Sequence, residues 1–331
     1  MPGFLIHIGE ESFPFAQETR KKLVVDRIEG PGYCVERRVV NKFMNDRLFF
    51  EDNNYVVVVE GVVLNNHQLI EQYDASDWGD CIKRMYLRLG DTFFNEFRGS
   101  FSGALFDKSA DKWLVFTDHI GDKQVFYTDV PGGYLLGSEI GFLVEARKKN
   151  ALPVSIDETG CYMSLTHGFC FDDKTLVTEV HKLIAGHYYE ITPACIRTIR
   201  YHQFSNVPDE SMTEEDAVEG IDRLFRQAIR RQFEKDREYG YRHLACLSGG
   251  LDSRMTVWVA HQMGYSDQLN ITFSQSGYLD FSVAQQIAID LHHDWLFKPL
   301  DGGDFIDKLD EITAMTYGGI NYFGLAHGKS L

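Results

Sequence analysis

The chain has 331 residues, 44% of them hydrophobic and 13% aromatic, which is typical of a globular protein long enough for two domains. Its formal net charge is -16, with 33 Lys and Arg against 49 Asp and Glu. The longest basic runs, residues 20–22 and 147–149, are too short to follow a nucleic-acid backbone. Composition and charge therefore argue against a nucleic-acid partner.

Cysteine spacing and apolar run lengths bear on the compartment. The six cysteines are Cys34, Cys81, Cys161, Cys170, Cys195 and Cys246. No two have the Cys-x-x-Cys spacing of a zinc site, and dispersed cysteines in a chain of this size indicate reduced thiols. Residues 1–7 lack the basic start of a signal peptide, and the longest later apolar run, residues 55–59, is too short to span a bilayer. The sequence predicts a cytoplasmic protein with no membrane partner.

Short β-type runs fill the chain up to about residue 205. They are residues 55–59, 100–106, 112–116, 124–127 and 134–136, and turn signals such as Pro131-Gly132-Gly133 separate them. One helix is predicted near residues 80–89. The pattern predicts a sheet-dominated α+β domain over residues 1–205.

A linker at residues 205–211 is predicted to precede a second domain, residues 206–331. Thr213 is a good N-cap, and the apolar residues after it recur at helical spacing, which predicts a long helix with one buried face: Ala217, Ile221, Leu224, Phe225, Ala228 and Ile229. Strands are then predicted to alternate with helices, at residues 243–247, 252–263, 269–273, 282–291 and 295–300. This alternation predicts an α/β domain with a doubly wound parallel sheet, which binds ligands beyond the carboxyl ends of its strands.

The strand predicted at residues 243–247 runs directly into Ser248-Gly249-Gly250-Leu251-Asp252-Ser253, which opens the next helix. Glycines between a strand and a helix let successive N–H groups point into one concavity, which suits a phosphate or pyrophosphate. Ser248 and Ser253 add hydroxyl donors, and Asp252 is placed to hold a magnesium ion that bridges the phosphates. The spacing is neither that of a Walker loop nor that of a dinucleotide turn. The alternative is a turn that merely needs glycines.

The Ser-Gly-Gly-x-Asp-Ser loop resembles the pyrophosphate loop of the ATP-pyrophosphatase superfamily. Preceded by a sheet-rich domain, it resembles the asparagine synthetase family, and residues 101–139 and 213–300 carry the likeness best. The resemblance implies a class II glutamine amidotransferase-like domain with the Ntn-hydrolase-like αββα fold. It also implies an adenine nucleotide alpha-hydrolase-like domain that uses ATP and magnesium. The implied ATP site comprises Leu247, Ser248, Gly249, Gly250, Leu251, Asp252, Ser253 and Gln275.

The chain departs from this family at the glutaminase residues. Members that hydrolyse glutamine begin Met-Cys-Gly, whereas this chain begins Met1-Pro2-Gly3, and proline has no thiol to form a thioester. The family's oxyanion-hole Asn-Gly pair corresponds to Glu60-Gly61, so Glu60, normally an anion, stands where the family has an amide donor. Loss of one such donor costs about 10²–10³ in rate. We therefore expect no glutaminase activity. Cys34 is the only thiol nearby in sequence, and it is expected to be structural.

The synthetase part is expected to be the N-terminal part of that domain. The family continues to a second acidic loop that holds ATP and magnesium and to a lysine that stabilises the adenylation transition state, and neither is found. The segment Gly318-Gly319 after Tyr317 lacks a following acid, Gly302-Gly303-Asp304 favours a turn and helix cap, and residues 328–331 do not close a domain. The chain is expected to be a fragment of a longer protein or a shortened member.

Three other groups receive structural interpretations. His292 and His293, ahead of Asp294, favour a helix C-terminal cap over a metal site. Asp118-His119 is expected to be structural, and Ser76-Asp77 is not expected to bind an amino acid. Gln275 stands where the family has an apolar residue against adenine, which lowers the affinity expected for the base.

The resemblance supports two classes of function. The first is an ATP-dependent amide ligase that adenylates a carboxylate and transfers an amine to it, by family default making asparagine from aspartate with free ammonia. Relatives that use a substrate amine, such as β-lactam synthetase and lasso-peptide cyclases, are the alternative within this class. The second is a catalytically incomplete binding or regulatory protein. The implied partners are carboxylate and amine substrates, a second copy of the chain, or a protein that supplies the rest of the synthetase domain.

Overall fold

The computed structural model describes residues 2–16, 23–303, 306–307 and 309–317. The chain divides into two compact units, which we call unit 1 (Met1–Ser205) and unit 2 (Asn206–Leu331). Among the described residues, no helix has the length and apolar character needed to cross a membrane.

Strands dominate the described part of unit 1. They are β1 (Gly3–Gly9), β2 (Val24–Gly30), β3 (Tyr33–Val39), β4 (Phe49–Glu51), β5 (Tyr55–Val63), β6 (Gly99–Asp107), β7 (Lys112–Thr117), β8 (Phe126–Val130), β9 (Gly133–Gly137), β10 (His181–Lys182), β11 (His187–Thr192) and β12 (Cys195–Arg200). The helices are α1 (Asn66–Gln72), α2 (Trp78–Leu89), α3 (Ile140–Lys149) and α4 (Glu158–His167), with a 3₁₀ segment at Gly90–Glu96. The five predicted β-type runs and the predicted helix are all confirmed, with bounds shifted by a few residues.

The described strands of unit 1 form two six-stranded antiparallel sheets, in the orders β10-β8-β9-β1-β3-β2 and β12-β11-β7-β6-β5-β4. Because side chains alternate along a strand, each strand serves two layers. Phe4 of β1 and Val58 of β5 meet in a core between the sheets. Val57 and Val59 point the other way, into a core under α2, and α3 packs on β8 and β9. These four layers confirm the αββα fold.

Unit 2 alternates helices and strands. Its described elements are α5 (Glu214–Glu238), β13 (His243–Cys246), α6 (Leu251–Gln262), β14 (Gln268–Ser274), α7 (Leu279–Leu291), β15 (Asp294–Pro299) and α8 (Leu309–Thr316). β13 pairs with β14 and β14 with β15, both in parallel. Ala245 and Trp295 face a core formed with α6 and α7. The predicted α/β class is confirmed, and this chain-order arrangement is one half of a doubly wound sheet.

α5 begins where the sequence predicts, but less of it is buried. The Thr213 hydroxyl accepts the Asp216 N–H (3.1 Å) and the Asp216 carboxylate accepts the Thr213 N–H (3.3 Å), a capping box. Ile229 is buried against α6, whereas Ile221 and Leu224 are 69% and 54% exposed and Ala228 is exposed as well. The predicted burial of those three residues is wrong, and the contact with α6 lies toward the carboxyl end of α5.

Candidate functional site

The loop at residues 248–253 joins the carboxyl end of β13 to the first turn of α6. Two hydroxyls hold its backbone in place. The Ser248 N–H donates to Ser253 Oγ (3.0 Å), the Gly250 N–H donates to Ser248 Oγ (3.1 Å), and the two hydroxyl oxygens lie 3.0 Å apart. The structure thus brings three of the candidate residues, Ser248, Gly250 and Ser253, into one hydrogen-bonded turn.

The first turn of α6 is open to an anion. Gly250 is the N-cap, with φ −74° and ψ 155°, and no side chain caps the helix. The first-turn N–H groups of a helix have no partner inside the helix, so they are available to a negatively charged ligand. Asp252 lies in this turn with an exposed side chain, and Leu251 is also exposed.

A chain of hydrogen bonds supports the loop from the sheet. Trp295 Nε1 donates to Thr272 Oγ1 (2.8 Å), and the Thr272 hydroxyl donates to the Leu247 carbonyl (2.7 Å). Leu247 is buried, so it supports the loop from the core. Sequence reasoning missed Thr272 and Trp295. The available signal was the alternation of polar and apolar residues along β14, with Asn270, Thr272 and Ser274 on one face, since a buried hydroxyl needs a partner.

Asp280, in the first turn of α7, also escaped the sequence analysis. The Gly249 N–H donates to Asp280 Oδ1 at 2.7 Å. A Cβ on Gly249 would lie 2.8 Å from that oxygen, so a larger residue would have to displace the Asp280 carboxylate. The available signal was an acid following the next parallel strand, because the carboxyl ends of neighbouring parallel strands meet at one edge of the sheet. A carboxylate therefore contacts a backbone donor of the candidate phosphate loop.

Gln275 lies at the same edge of the sheet as the loop. It directly follows β14, which pairs with β13, and its side chain is exposed. The next residue, Ser276, is fixed by Asp301: its N–H donates to Oδ1 (2.7 Å) and its hydroxyl to Oδ2 (2.6 Å). The segment that carries Gln275 is thereby held at the carboxyl ends of the strands.

The residues predicted to correspond to the glutaminase positions of the asparagine synthetase family lie in unit 1. Pro2 comes directly before β1, and Glu60 and Gly61 lie within β5. Gly61 has φ +105°, and a Cβ there would lie 2.1 Å from the Ser100 carbonyl oxygen, so only glycine fits. By strand alternation Glu60 shares the face of Val58, between the sheets, and it is 1% exposed. The residue in place of the family's asparagine is a buried carboxyl group.

The charges of nearby cations only partly offset the burial of Glu60. Arg47 Nη2 lies 3.4 Å from Glu60 Oε1, and Arg47 Nη1 donates to the Val40 carbonyl (2.8 Å). Burial raises the pKa of Glu60, while the charges of Arg47 and Lys123 act against this rise. The sequence treated Glu60 as an ordinary anion. The structure corrects this, because burial penalises its ionisation and a buried guanidinium is its neighbour.

The structural interpretations of three other candidates agree with the structure. Cys34 is buried, and burial raises the pKa of its thiol. The Asp77 side chain caps α2 by accepting the Asp80 N–H (2.8 Å). The Asp118 carboxylate holds its loop in place by accepting hydrogen bonds from four backbone N–H groups, those of Phe101, Ile120, Asp122 and Lys123.

The histidine pair after α7 is part of a hydrogen-bonded chain. His292 ends α7 in a left-handed conformation (φ 55°, ψ 37°), as the cap interpretation predicts. His293 is buried, with Nε2 2.9 Å from Nδ1 of His261 and Nδ1 2.9 Å from Oδ1 of Asn270. Within the described ranges no cluster of three or more His, Cys, Asp or Glu side chains could hold a metal ion.

Some predicted features lie outside the described residues. They are Met1, the basic run at residues 20–22, Asp304, the glycine-rich segment that follows Tyr317, and residues 328–331. The interpretations given to them stay predictions.

The fold and the loop define a class of protein in which an amidotransferase-type αββα unit precedes a parallel α/β unit with a phosphate-type loop. Comparison with known families agrees with this description. The glutamine amidotransferase domain family matches residues 42–202, and the asparagine synthase family matches residues 220–320. The chain is therefore similar to the asparagine synthetase family in both units.

Individual relatives are distant and longer. The chain is 27% identical over 289 residues to glutamine-hydrolyzing asparagine synthetase 2 of Bacillus subtilis (strain 168), covering 79% of this chain and 37% of that protein. It is 24% identical over 214 residues to amidase chyE of Penicillium rubens, covering 61% of this chain and 30% of that protein. The chain therefore spans about a third of the length of these curated relatives.

Solved structures resemble the chain weakly. Glutamine phosphoribosylpyrophosphate amidotransferase from B. subtilis, in complex with ADP and GMP, has 10% identity and a TM-score of 0.37, covering 81% of this chain and 51% of that one. A TM-score this low carries no argument about architecture or function.

Proposed function

We propose that unit 2 binds ATP with magnesium and that the protein serves ATP-dependent amide ligation. The observation that carries this proposal is the turn at residues 248–253, where two serine hydroxyls and the uncapped first turn of α6 meet at the carboxyl end of β13. The match of residues 220–320 to the asparagine synthase family supports the same chemistry.

The residues around the loop fit a magnesium nucleotide. The hydroxyls of Ser248 and Ser253 and the first-turn N–H groups of α6 are donors for phosphate oxygens. Asp252 offers carboxylate oxygens, the ligand type that Mg²⁺ takes in proteins. Bound magnesium neutralises charge on the phosphates. Gln275, exposed at the same edge, is placed to contact the nucleotide.

The proposed reaction has two steps. A carboxylate oxygen of the substrate attacks the α-phosphorus of ATP, and pyrophosphate leaves with the electrons of the broken P–O bond. An amine nitrogen then attacks the acyl carbon, AMP leaves, and the amine loses a proton as the amide forms. The default pair is aspartate and ammonia, giving asparagine. The alternative is a carboxylate joined to a substrate amine, as in β-lactam synthetase or lasso-peptide cyclases.

We also propose that the nitrogen does not come from glutamine hydrolysed by unit 1. Pro2 supplies no thiol where the family places its nucleophile. Where the family places a neutral amide donor, unit 1 has Glu60 buried beside Arg47.

A second candidate function is a binding or regulatory protein that takes up nucleotide without turning it over. The observation that favours it is that Pro2 and a buried Glu60 stand where the family is expected to have its glutaminase nucleophile and oxyanion donor. In that case the proposed partner is a second copy or a protein that carries further synthetase residues.

Calorimetric titration of the chain with ATP and magnesium tests the nucleotide site. Binding is expected in the parent and in Asp290→Ala, a control that removes an exposed acid of α7, and is expected to be lost in Asp252→Ala. Absence of binding by the parent would reject the site. Given binding, pyrophosphate release in the presence of aspartate and ammonia, or of other carboxylate and amine pairs, favours the ligase, and its absence across such a panel favours the binding protein.

A further inference from the structure

The contact between Asp280 and the loop has a direct electrostatic consequence. Asp280 Oδ1 accepts the Gly249 N–H at 2.7 Å, so a carboxylate occupies a backbone donor of the phosphate loop. The Gly249 backbone also lies close to the Asp280 backbone, since a Cβ on Gly249 would be 3.3 Å from Asp280 Cα. The first turn of α7 is therefore packed directly against the loop.

The loop does not depend on Asp280 for its shape. The hydroxyls of Ser248 and Ser253 hold Ser248 and Gly250 through two backbone hydrogen bonds, and Ser253 Oγ also donates to the Gly250 carbonyl at 3.3 Å. Thr272 fixes Leu247 from the sheet. A structural residue at position 280 needs a hydrogen-bond acceptor, and an acid in the first turn of α7 also suits the helix dipole. Neither role requires the carboxylate to occupy a donor of the phosphate loop.

We propose that Asp280 is a resident anion of the phosphate loop that makes it selective for metal-bound polyphosphate. Without metal, the carboxylate repels the incoming phosphate and occupies the Gly249 N–H. When magnesium accompanies the phosphate, its charge offsets this repulsion and the carboxylate releases the donor. The inference rests on the proposed nucleotide site and adds a selectivity to it, a design in which an unfavourable interaction excludes the wrong ligand.

Inorganic pyrophosphate is a suitable probe, because it carries the polyphosphate charge without a base. Its affinity for the full chain is measured by equilibrium dialysis, with magnesium and with a chelator, in the parent and in Asp280→Asn, Asp280→Ala and Asp290→Asn. Asn keeps an acceptor oxygen for Gly249 and removes the charge, whereas Ala removes both. Asp290→Asn changes the net charge equally, on the same helix and at an exposed position.

Both Asp280 variants are expected to bind metal-free pyrophosphate at least about tenfold more tightly than the parent, because one nearby negative charge is gone. The advantage that magnesium gives the parent is expected to shrink by the same factor. Asp290→Asn is expected to behave like the parent. Thermal melting of each variant shows whether it is folded. If Asp280→Asn does not fold, the result for Asp280→Ala decides the test.

Two results would overturn the inference and leave the proposed nucleotide site standing. One is unchanged metal-free binding in both Asp280 variants while the magnesium complex still binds. The other is weaker binding of the magnesium complex in both variants, which would make Asp280 a ligand of the complex and not an obstacle to the free anion. Failure of the parent and every variant to bind pyrophosphate in either condition would reject the proposed site together with the inference.

Discussion

The two units bury their apolar residues in different ways. In unit 1 each sheet has a core on both faces, so a strand such as β5 is buried along most of its length. In unit 2, α6 and α7 cover the face of the sheet that carries Ala245 and Trp295. The opposite face carries Leu244 and Leu296, which are 64% and 43% exposed. Parallel sheets are normally covered on both faces, so the described residues of unit 2 form one side of such a core.

The contrast shows what the candidate site needs. The loop at residues 248–253 depends on β13, β14, α6 and the first turn of α7, which are joined by hydrogen bonds and by the core under α6 and α7. Its geometry therefore does not require a cover on the other face of the sheet. In unit 1 the layers are closed, and the family's catalytic positions carry proline and a buried acid. Unit 1 is therefore the better-packed unit, and it is also the unit in which we propose that glutamine hydrolysis is absent.

The largest expected effect is a truncation in the core of unit 1. Phe94 is 0% exposed and stacks on Phe116 with ring centroids 4.3 Å apart. Phe94→Ala should lower the free energy of unfolding by about 3–5 kcal/mol, through lost burial and a residual cavity. Leu244→Ala, on the uncovered face of unit 2, should change it by less than about 0.5 kcal/mol. Urea denaturation followed by circular dichroism measures both, and equal losses would refute the contrast between the two units.

A smaller effect is expected from the pH dependence of Glu60 in unit 1. Since burial raises its folded-state pKa above the reference value of 4.5, its favourable contribution is complete below pH 4.5 and is lost as pH rises through the folded-state pKa. The loss is about 1.4 kcal/mol for each unit by which the pKa is raised. Glu60→Gln should lack this component.

Urea unfolding at a series of pH values, taken as parent minus Glu60→Gln, isolates the Glu60 contribution because the other groups cancel. Glu71→Gln, an exposed acid of α1, provides the control and should follow the parent. A difference that rises with pH would mean that Arg47 outweighs burial. The Glu60→Gln variant should also release no ammonia from glutamine, because Pro2 still lacks a thiol.

His293 is expected to give the stability of unit 2 a pH dependence of the opposite sign. Burial lowers its pKa below 6.5, and neighbouring His261 lowers it further. Its contribution to stability is therefore complete above pH 6.5 and is lost as pH falls toward the folded-state pKa, at about 1.4 kcal/mol per unit of lowering. The groups that face it are His261 and Asn270.

The free energy of unfolding of unit 2 is measured between pH 5 and pH 8 in the parent and in His293→Gln, and the difference between the two gives the His293 contribution. His292→Asn is the matched control, because Asn tolerates the left-handed conformation of that position. The control should keep the parent's pH dependence. If His293→Gln keeps it as well, the titrating group is not His293.

The sequence predicted features whose cause is local. Alternating apolar runs gave the strands of unit 1, and the spacing of serine and glycine gave the turn at residues 248–253, because these depend on neighbours along the chain. Asp280 was missed because its partner Gly249 is 31 residues away, and the contact exists only once α7 follows a strand paired with β13. The prediction that Ile221 is buried was wrong for the same reason, because helical spacing identifies an apolar stripe but not what packs on it.

The smallest expected effect concerns the capping box of α5, which is formed by residues close to one another in sequence. Thr213 accepts the Asp216 N–H at 3.1 Å and caps α5. Thr213→Ala should cost about 1 kcal/mol, because one first-turn N–H loses its acceptor, whereas Thr213→Ser keeps the hydroxyl and should cost little. Hydrogen exchange of α5 amides, read against urea unfolding, locates the loss. Since Ile221 and Leu224 are exposed, we expect the loss to be confined to the first turns of α5, with exchange at Ile229 unchanged. Equal deprotection at Ile229 would show instead that α5 unfolds as one body with the core it forms with α6.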